Sequence, residues 1–303
     1  MSIDLKQILN SSFALNLAFF IGRVIPPRVG YVICDSIGNW IAAQQDSRVT
    51  RAVRVNQRVL LGANLDKDAL DKAVQETLRN NARDLYTLYH YMQDPKAMQR
   101  VININPQERQ WVERPEFADR GLVIVGLHLS NFDFVLQSLC QQGCKPMVLT
   151  IPDPQGGRRV EYEIRRKIGM NLVPASVSAL RQAVKHLEQG GMVLAGLDHP
   201  VLNPKHHPVF FNYPASLPIH YISLALKTQV PIVVMAAIQQ MDGKYHILSS
   251  EPIEMEHDPD RGRAILCNAE RVLKQAEDFI RLAPQQWNVP WPIWPELLER
   301  VQC

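Results

Sequence analysis

Neither G-x-G-x-x-G nor G-x-x-x-x-G-K-[ST] occurs in the chain, which excludes the two glycine-rich loops that cradle nucleotide phosphates. A G-x-S-x-G elbow is missing too, and with it the usual seat of a serine nucleophile at a sharp strand-to-helix turn. The five cysteines, Cys34, Cys140, Cys144, Cys267 and Cys303, are odd in number and have no C-x-x-C spacing. They support neither a disulfide framework nor a zinc site, and are read as reduced thiols of a cytosolic setting. No apolar run approaches the roughly 20 residues of a bilayer span; the best, within SSFALNLAFFIGRVIPP, is broken by Arg23 and Pro26 after about ten. The start of the chain, with Asp4 and Lys6 and no A-x-A pattern, is a poor secretory signal. Charge of one sign is also scarce, since a net +3 gives no reason to expect a nucleic-acid partner.

What is there suits one large core: 46% of 303 residues are hydrophobic. Residues 1–95 read as helices without a convincing strand: VGYVICDSIGNWIAAQ, then RAVRVNQRVLLG stopping at Gly62, then DKDALDKAVQETLRNNARDLYTLYHYM, capped by Asp66 or Asp68 and closed by Asp94-Pro95. Ahead of them Phe13, Leu17, Phe20 and Ile21 recur on one helical face, which on periodicity alone packs against the body. Past a polar stretch, NPQERQWVERPEFADR, the pattern changes to short branched runs at 121–127, 145–151, 192–198, 231–238 and 244–250. Most are separated by helical segments such as FVLQSLCQQG, VEYEIRRKIG, VSALRQAVKHLEQGG and SLPIHYISLALKTQ, and RGRAILCNAERVLKQAEDFIRLAP follows the last of them. That alternation predicts an α/β fold: a mixed, largely parallel central sheet flanked by helices, with a helical N-terminal portion at 1–115 and the core at 116–303.

In such a sheet ligands bind beyond the carboxyl ends of the strands. His128, at the exit of GLVIVGL, and Asp198, at the exit of MVLAGLD, both occupy such ends. His128 opens HLSNFD, in which Ser130 and Asn131 suit a helix N-cap and Asp133 falls in the first turn. A histidine followed five residues later by an acid arises about once by chance in a chain with this many histidines, and His246…Glu251 is taken as that occurrence. At a strand exit, a carboxylate on one imidazole nitrogen fixes the tautomer and makes the other nitrogen a base able to take a proton from an alcohol. Asp133 is the expected partner. With no cysteine beside the pair, direct attack by an acceptor hydroxyl on an activated acyl group fits better than an acyl-enzyme.

HLSNFD resembles the H-x4-D block of the glycerolipid and lysophospholipid acyltransferases. The chain as a whole is similar to their bacterial lipid A biosynthesis lauroyl/myristoyl branch, which includes the phosphatidylinositol mannoside acyltransferases. RAVRVNQRVLLG with ETLRNNARDLYTLY, then GLDHP, FFNYPASLPIHYISLALKTQVPIVV and PQQWNVPWPIWPE resemble further blocks of that branch in order, with Pro200 where many relatives carry a second Asp. The resemblance implies transfer of a fatty acyl group from acyl-CoA or acyl carrier protein, as co-substrate and with no cofactor or metal, to a hydroxyl of a lipid-linked acceptor. It implies a monotopic or peripheral protein on the cytoplasmic face of the inner membrane, with His128 as base, Asp133 as partner, and Asp198 and His199 in the second block.

Several other residues are candidates for substrate binding. Backbone amides around Ser130, Asn131 and Phe132 could hold an oxyanion, and Arg165 and Arg166 could neutralise it or a phosphate. Arg158 and Arg159, after Gly156-Gly157, stand on the expected ligand side. His206-His207 has no third ligand at metal spacing and reads as surface. Trp287, Trp291 and Trp294, alternating with prolines, suit a membrane interface as readily as a groove on the body; with the resemblance, they and the N-terminal helix become the two candidates for membrane attachment. Two rival readings use the same residues: a thioesterase or esterase whose base acts on water, and a non-catalytic lipid- or acyl-carrier-binding protein.

Overall fold

A computed structural model describes residues 22–62, 64–92, 94–104, 120–150, 162–163 and 165–298. The helical portion comprises α1 (Pro27–Ala43), α2 (Arg48–Leu61), α3 (Lys67–Tyr91) and the short α4 (Pro95–Arg100). Their ends follow local chemistry. Ser47 caps α2 and Asp66 caps α3, each side chain accepting a backbone N–H of the first turn, and Gly62 stops α2 at φ 100°, a value side-chain-bearing residues rarely adopt. The expected boundary at 115/116, the N-terminal apolar residues Phe13, Leu17, Phe20 and Ile21, and the loop carrying Arg158 and Arg159 lie outside the described residues.

The core then runs β1 (Ile102–Asn103), β2 (Leu122–Gly126), α5 (Phe132–Gln141), β3 (Met147–Thr150), β4 (Asn171–Pro174), α6 (Val177–Glu188) and β5 (Met192–Gly196). After it come β6 (Val209–Phe210), β7 (Tyr213–Pro214), α7 (His220–Thr228), β8 (Ile232–Gln239), β9 (Tyr245–Ser249) and α8 (Arg261–Leu282). Seven strands form one mixed sheet in the order β1-β9-β8-β2-β5-β3-β4. Every neighbouring pair is parallel except β8 with β9. The five expected strands are all present, and the class is α/β. The two-residue β1, the four-residue β4 and the β6–β7 ribbon were not expected; their runs are too short or too polar for a periodicity reading.

β2 lies at the centre, buried at every residue. Its side chains alternate between two cores: Val123 and Val125 join one with α7 and α8, while Leu122 and Ile124 join the other with α5. The helices after two adjacent parallel strands therefore leave on opposite faces, α5 after β2 on one and α7 after β5 on the other. Such a divergence opens a crevice at the carboxyl ends of both strands.

Candidate active site

The register of β2 and β5 decides which residues meet at that crevice. Gly126 is paired with Gly196, and two residues beyond each stand His128 and Asp198. Between them, Leu127 and Leu197 are buried, and their amides extend the ladder to Met235 O (3.2 Å) and Gly126 O (3.0 Å). With those leucines pinned, the next side chains converge. His128 Nδ1 lies 2.6 Å from Asp198 Oδ1, and the His128 amide donates to Asp198 Oδ2 at 2.9 Å. A third donor, Trp287 Nε1, reaches Oδ2 at 2.8 Å.

Asp198 is fully buried, whereas the His128 side chain is 47% accessible. Burial pushes the Asp198 carboxyl up, but the charge of the imidazole and the three donors, its own Nδ1–H among them, outweigh it and hold the carboxyl below its usual range. On His128 burial acts downward; Asp198, by charge and hydrogen bond, acts more strongly and raises the imidazole above its ordinary value, with Asp133 adding and Arg165 subtracting by charge. With Nδ1 committed to a carboxylate, the nitrogen left to take a proton is Nε2.

The expected His128–Asp133 contact is corrected by this geometry. Asp133 does fall in the first turn of α5, but its Oδ2 is held by Arg165 (2.9 and 3.2 Å) and by Gln137 Nε2 one helical turn on (2.9 Å). The helix carries Asp133 away from Nδ1, and the neighbouring strand supplies Asp198 instead. Asp133 and Arg165 act on His128 through space. Arg166 stacks over the Tyr162 ring at 5.0 Å. His199 packs against Trp291, ring centres 4.5 Å apart, and Trp291 in turn meets His128 edge-on at 5.3 Å.

The exit loop is not the helix cap expected of it. Ser130 takes the left-handed region at φ 47°, and its amide is spent on Gln286 O at 2.6 Å. Asn131 occupies the cap position of α5, but its amide group donates to Asp84 O at 2.7 Å. Of the proposed oxyanion donors, the Ser130 amide is therefore occupied, and Phe132 and Asp133 open a helix with no side-chain cap. Gly126 is needed here because a Cβ would lie 2.3 Å from the Phe132 ring.

The tryptophan-rich tail is also corrected. Trp287 and Trp294 are almost fully buried among Phe210 and Phe211, so neither ring can meet a membrane. Residues 286–288 pair with 128–130 as a short antiparallel bridge, with Asn288 N donating to His128 O at 2.8 Å. A buried irregular segment must have its backbone groups satisfied, and side chains from α2 and α3 do this. Asn56 binds Val289 O, Trp291 O and Ile293 N, Gln57 binds Pro284 O, and Asn80 binds Gln285 O. Asp84, Gln286, Trp287, Asn288 and Trp291 are thus site residues that sequence reasoning missed. The only signal for them was the unusual density of Asn, Gln and Trp in otherwise apolar surroundings.

A histidine–aspartate pair at the crevice of a largely parallel sheet, with no nucleophilic side chain joined to it among the described residues, defines a base-assisted transferase or hydrolase of the α/β class. The chain matches the bacterial lipid A biosynthesis acyltransferase family over residues 5–293, and it belongs to that family and is an acyltransferase. Comparison with curated proteins gives no match.

Proposed function

We propose that the protein moves a fatty acyl group from an acyl thioester, carried on acyl carrier protein or CoA, to a hydroxyl of a glycolipid acceptor, with His128 as general base. The observation that carries this reading is the 2.6 Å contact between His128 Nδ1 and the buried Asp198. Nε2 takes the proton of the acceptor hydroxyl as its oxygen attacks the thioester carbonyl. Collapse of the tetrahedral intermediate expels the thiolate, which recovers a proton from the imidazolium. Asp198 keeps Nδ1 protonated and stabilises the imidazolium; Asp133 adds to that stabilisation by its charge. The first-turn amides of α5 and the Arg165 guanidinium offer stabilisation for the oxyanion, a contribution of about 10²–10³ in rate per donor.

The test is a product analysis. Purified protein given radiolabelled acyl thioester and a membrane lipid extract is expected to place label in a lipid ester. Label appearing as free fatty acid, with no dependence on added lipid, would instead establish the hydrolase. Label bound without any product would establish the binding protein.

The same reading places the protein at a membrane surface, and α1 supplies the face for it. No helix among the described residues is long and apolar enough to cross a bilayer. Small residues of α1, Gly30, Cys34 and Gly38, press against α3, where a Cβ on Gly30 would strike the Tyr86 ring. The large apolar side chains are thereby turned outward: Val29, Val32, Ile33, Ile37 and Trp40 are all exposed, Trp40 by 64%. The helix's one acid, Asp35, is drawn inward to Arg79 and Arg83, and the Ser36 hydroxyl is satisfied by Val32 O of its own helix. An apolar, acid-free stripe with Arg28 at its start fits the interface of an anionic bilayer. Ile37→Glu with Trp40→Glu is expected to weaken sedimentation with anionic vesicles more than about tenfold, the equivalent of ~1.4 kcal/mol. The melting temperature should hardly move, since neither side chain is in the core. Undiminished vesicle binding would move the membrane contact elsewhere.

A further inference from the structure

Below the exit loop, Asp84 of α3 is buried and placed at the junction of three chain segments. Its Oδ1 accepts the Tyr245 hydroxyl of β9 at 2.9 Å, its Oδ2 accepts Asn288 Nδ2 at 2.5 Å, and its backbone oxygen accepts Asn131 Nδ2 at 2.7 Å. Asn288 also touches both ends of the loop, its backbone amide on His128 O at 2.8 Å and its Nδ2 on Ser130 O at 3.4 Å. One residue therefore holds, by its carboxylate, the side chain that grips the loop and, by its backbone carbonyl, the residue at the start of α5.

We propose that Asp84 is a positioning residue of the His128 site, its carboxylate holding Asn288, and through it residues 128–130, in the arrangement that presents the imidazole to substrate. This rests on His128 being the base. A neutral apolar clamp would hold the tail as well; what the carboxylate adds is a pair of acceptors that only an ionised acid supplies to two donors at once. Around it the titratable and charged groups are Tyr245 on β9 and Arg83 on α3 itself, the latter turned to Asp35; the loop and tail contribute the neutral amides of Asn131 and Asn288. Burial pushes Asp84 up to about 7 against the lowering effect of Tyr245, Asn288 and Arg83. On protonation the Asn288 N–H faces either a donor, when the hydrogen is on Oδ2, or an uncharged and weaker acceptor, when it is on Oδ1 and the Tyr245 hydroxyl turns to accept it; both loosen the grip of Asn288 on Ser130 O.

The test compares initial rates of transfer against pH in the full-length protein, using a radiolabelled acyl thioester and membrane lipid extract. In the wild type, full activity needs both His128 and Asp84 deprotonated, so the acid limb below about 7 should be steeper than a slope of one. Asp84→Asn is expected to lower kcat about 10–100-fold with little change in donor KM, and to reduce that slope to one. Tyr245→Phe, which removes a donor from the carboxylate, should move the steep limb to higher pH, and it serves if Asp84→Asn does not fold. Wild-type kcat and slope in Asp84→Asn, or an unmoved limb in Tyr245→Phe, overturns the inference. His128→Ala, run alongside, separates the two readings: if it stays active the base assignment fails, and if it is dead while the Asp84 variants are normal, only the positioning role fails.

Discussion

Replacing His128 with alanine is expected to lower acyl transfer about 10²–10⁴-fold while leaving the protein folded, because a positioned base supplies a factor of that order. The fold should survive because the His128 side chain is about half exposed, while Leu127 and Leu129 on either side carry the buried contacts of the exit. One cost is foreseeable. Asp198 would keep the backbone amide of residue 128 and the Trp287 indole as donors, but lose the imidazole that offsets its burial. Its carboxyl should then titrate higher, and the melting temperature should fall modestly at neutral pH. Transfer into lipid, measured with donor and acceptor saturating, checks the first statement, and circular dichroism on heating checks the second. Full activity in a folded variant would remove the base from the proposal.

The same base gives the acid limb of the wild-type profile its sign. Nε2 must be free to accept a proton, so transfer should decline as pH falls through the His128 value, which the Asp198 carboxylate has raised. The decline therefore begins at higher pH than an unpaired histidine would give.

Much of this architecture was legible in the sequence because it rests on local patterns. Short apolar runs such as GLVIVGL, rich in branched residues and flanked by glycine, favour buried strands, and the positions of His128 and Asp198 just past two such runs put both at the ligand-binding end of a parallel sheet. What could not be read was their adjacency. β2 and β5 are separated by some seventy residues, and their register depends on long-range pairing that no local spacing encodes. The nearer acid, Asp133, was the natural partner by sequence, but α5 begins at Phe132 and its turn delivers Asp133 to Gln137 and Arg165. The tail failed for a related reason. Trp287, Trp291 and Trp294 have amphipathic rings suited equally to lipid and to a wet groove, and only the positions of Asp198 and of the amides on α2 and α3 decide between them. The apolar face of α1 was hidden by its glycines, whose use as the packing side inverts the usual pattern of large side chains inward.

Asp198→Asn is the substitution that should separate the two acids. Asp198 Oδ2 receives two N–H groups, from the His128 backbone and from Trp287, so an amide nitrogen placed there would confront two donors. The side chain must then turn its nitrogen to the Oδ1 position, where it donates to His128 Nδ1. That forces the imidazole proton onto Nε2 and removes the base at every pH. A loss of the order of 10⁴ in kcat is expected, with the fold kept, since a neutral side chain of the same shape fills the buried site. Asp133→Asn leaves Nδ1 on Asp198 and withdraws a charge that helps to raise His128. Its acid limb should move to lower pH, and any loss of rate should trace to Arg165, which loses its ion pair with Asp133. Rate profiles of the two variants from mildly acidic to alkaline pH distinguish them. A flat loss belongs to the residue that sets the tautomer, and a shifted limb to the one that acts through space. If Asp133→Asn gave the flat loss and Asp198→Asn the shift, the roles assigned from the 2.6 Å contact would be reversed.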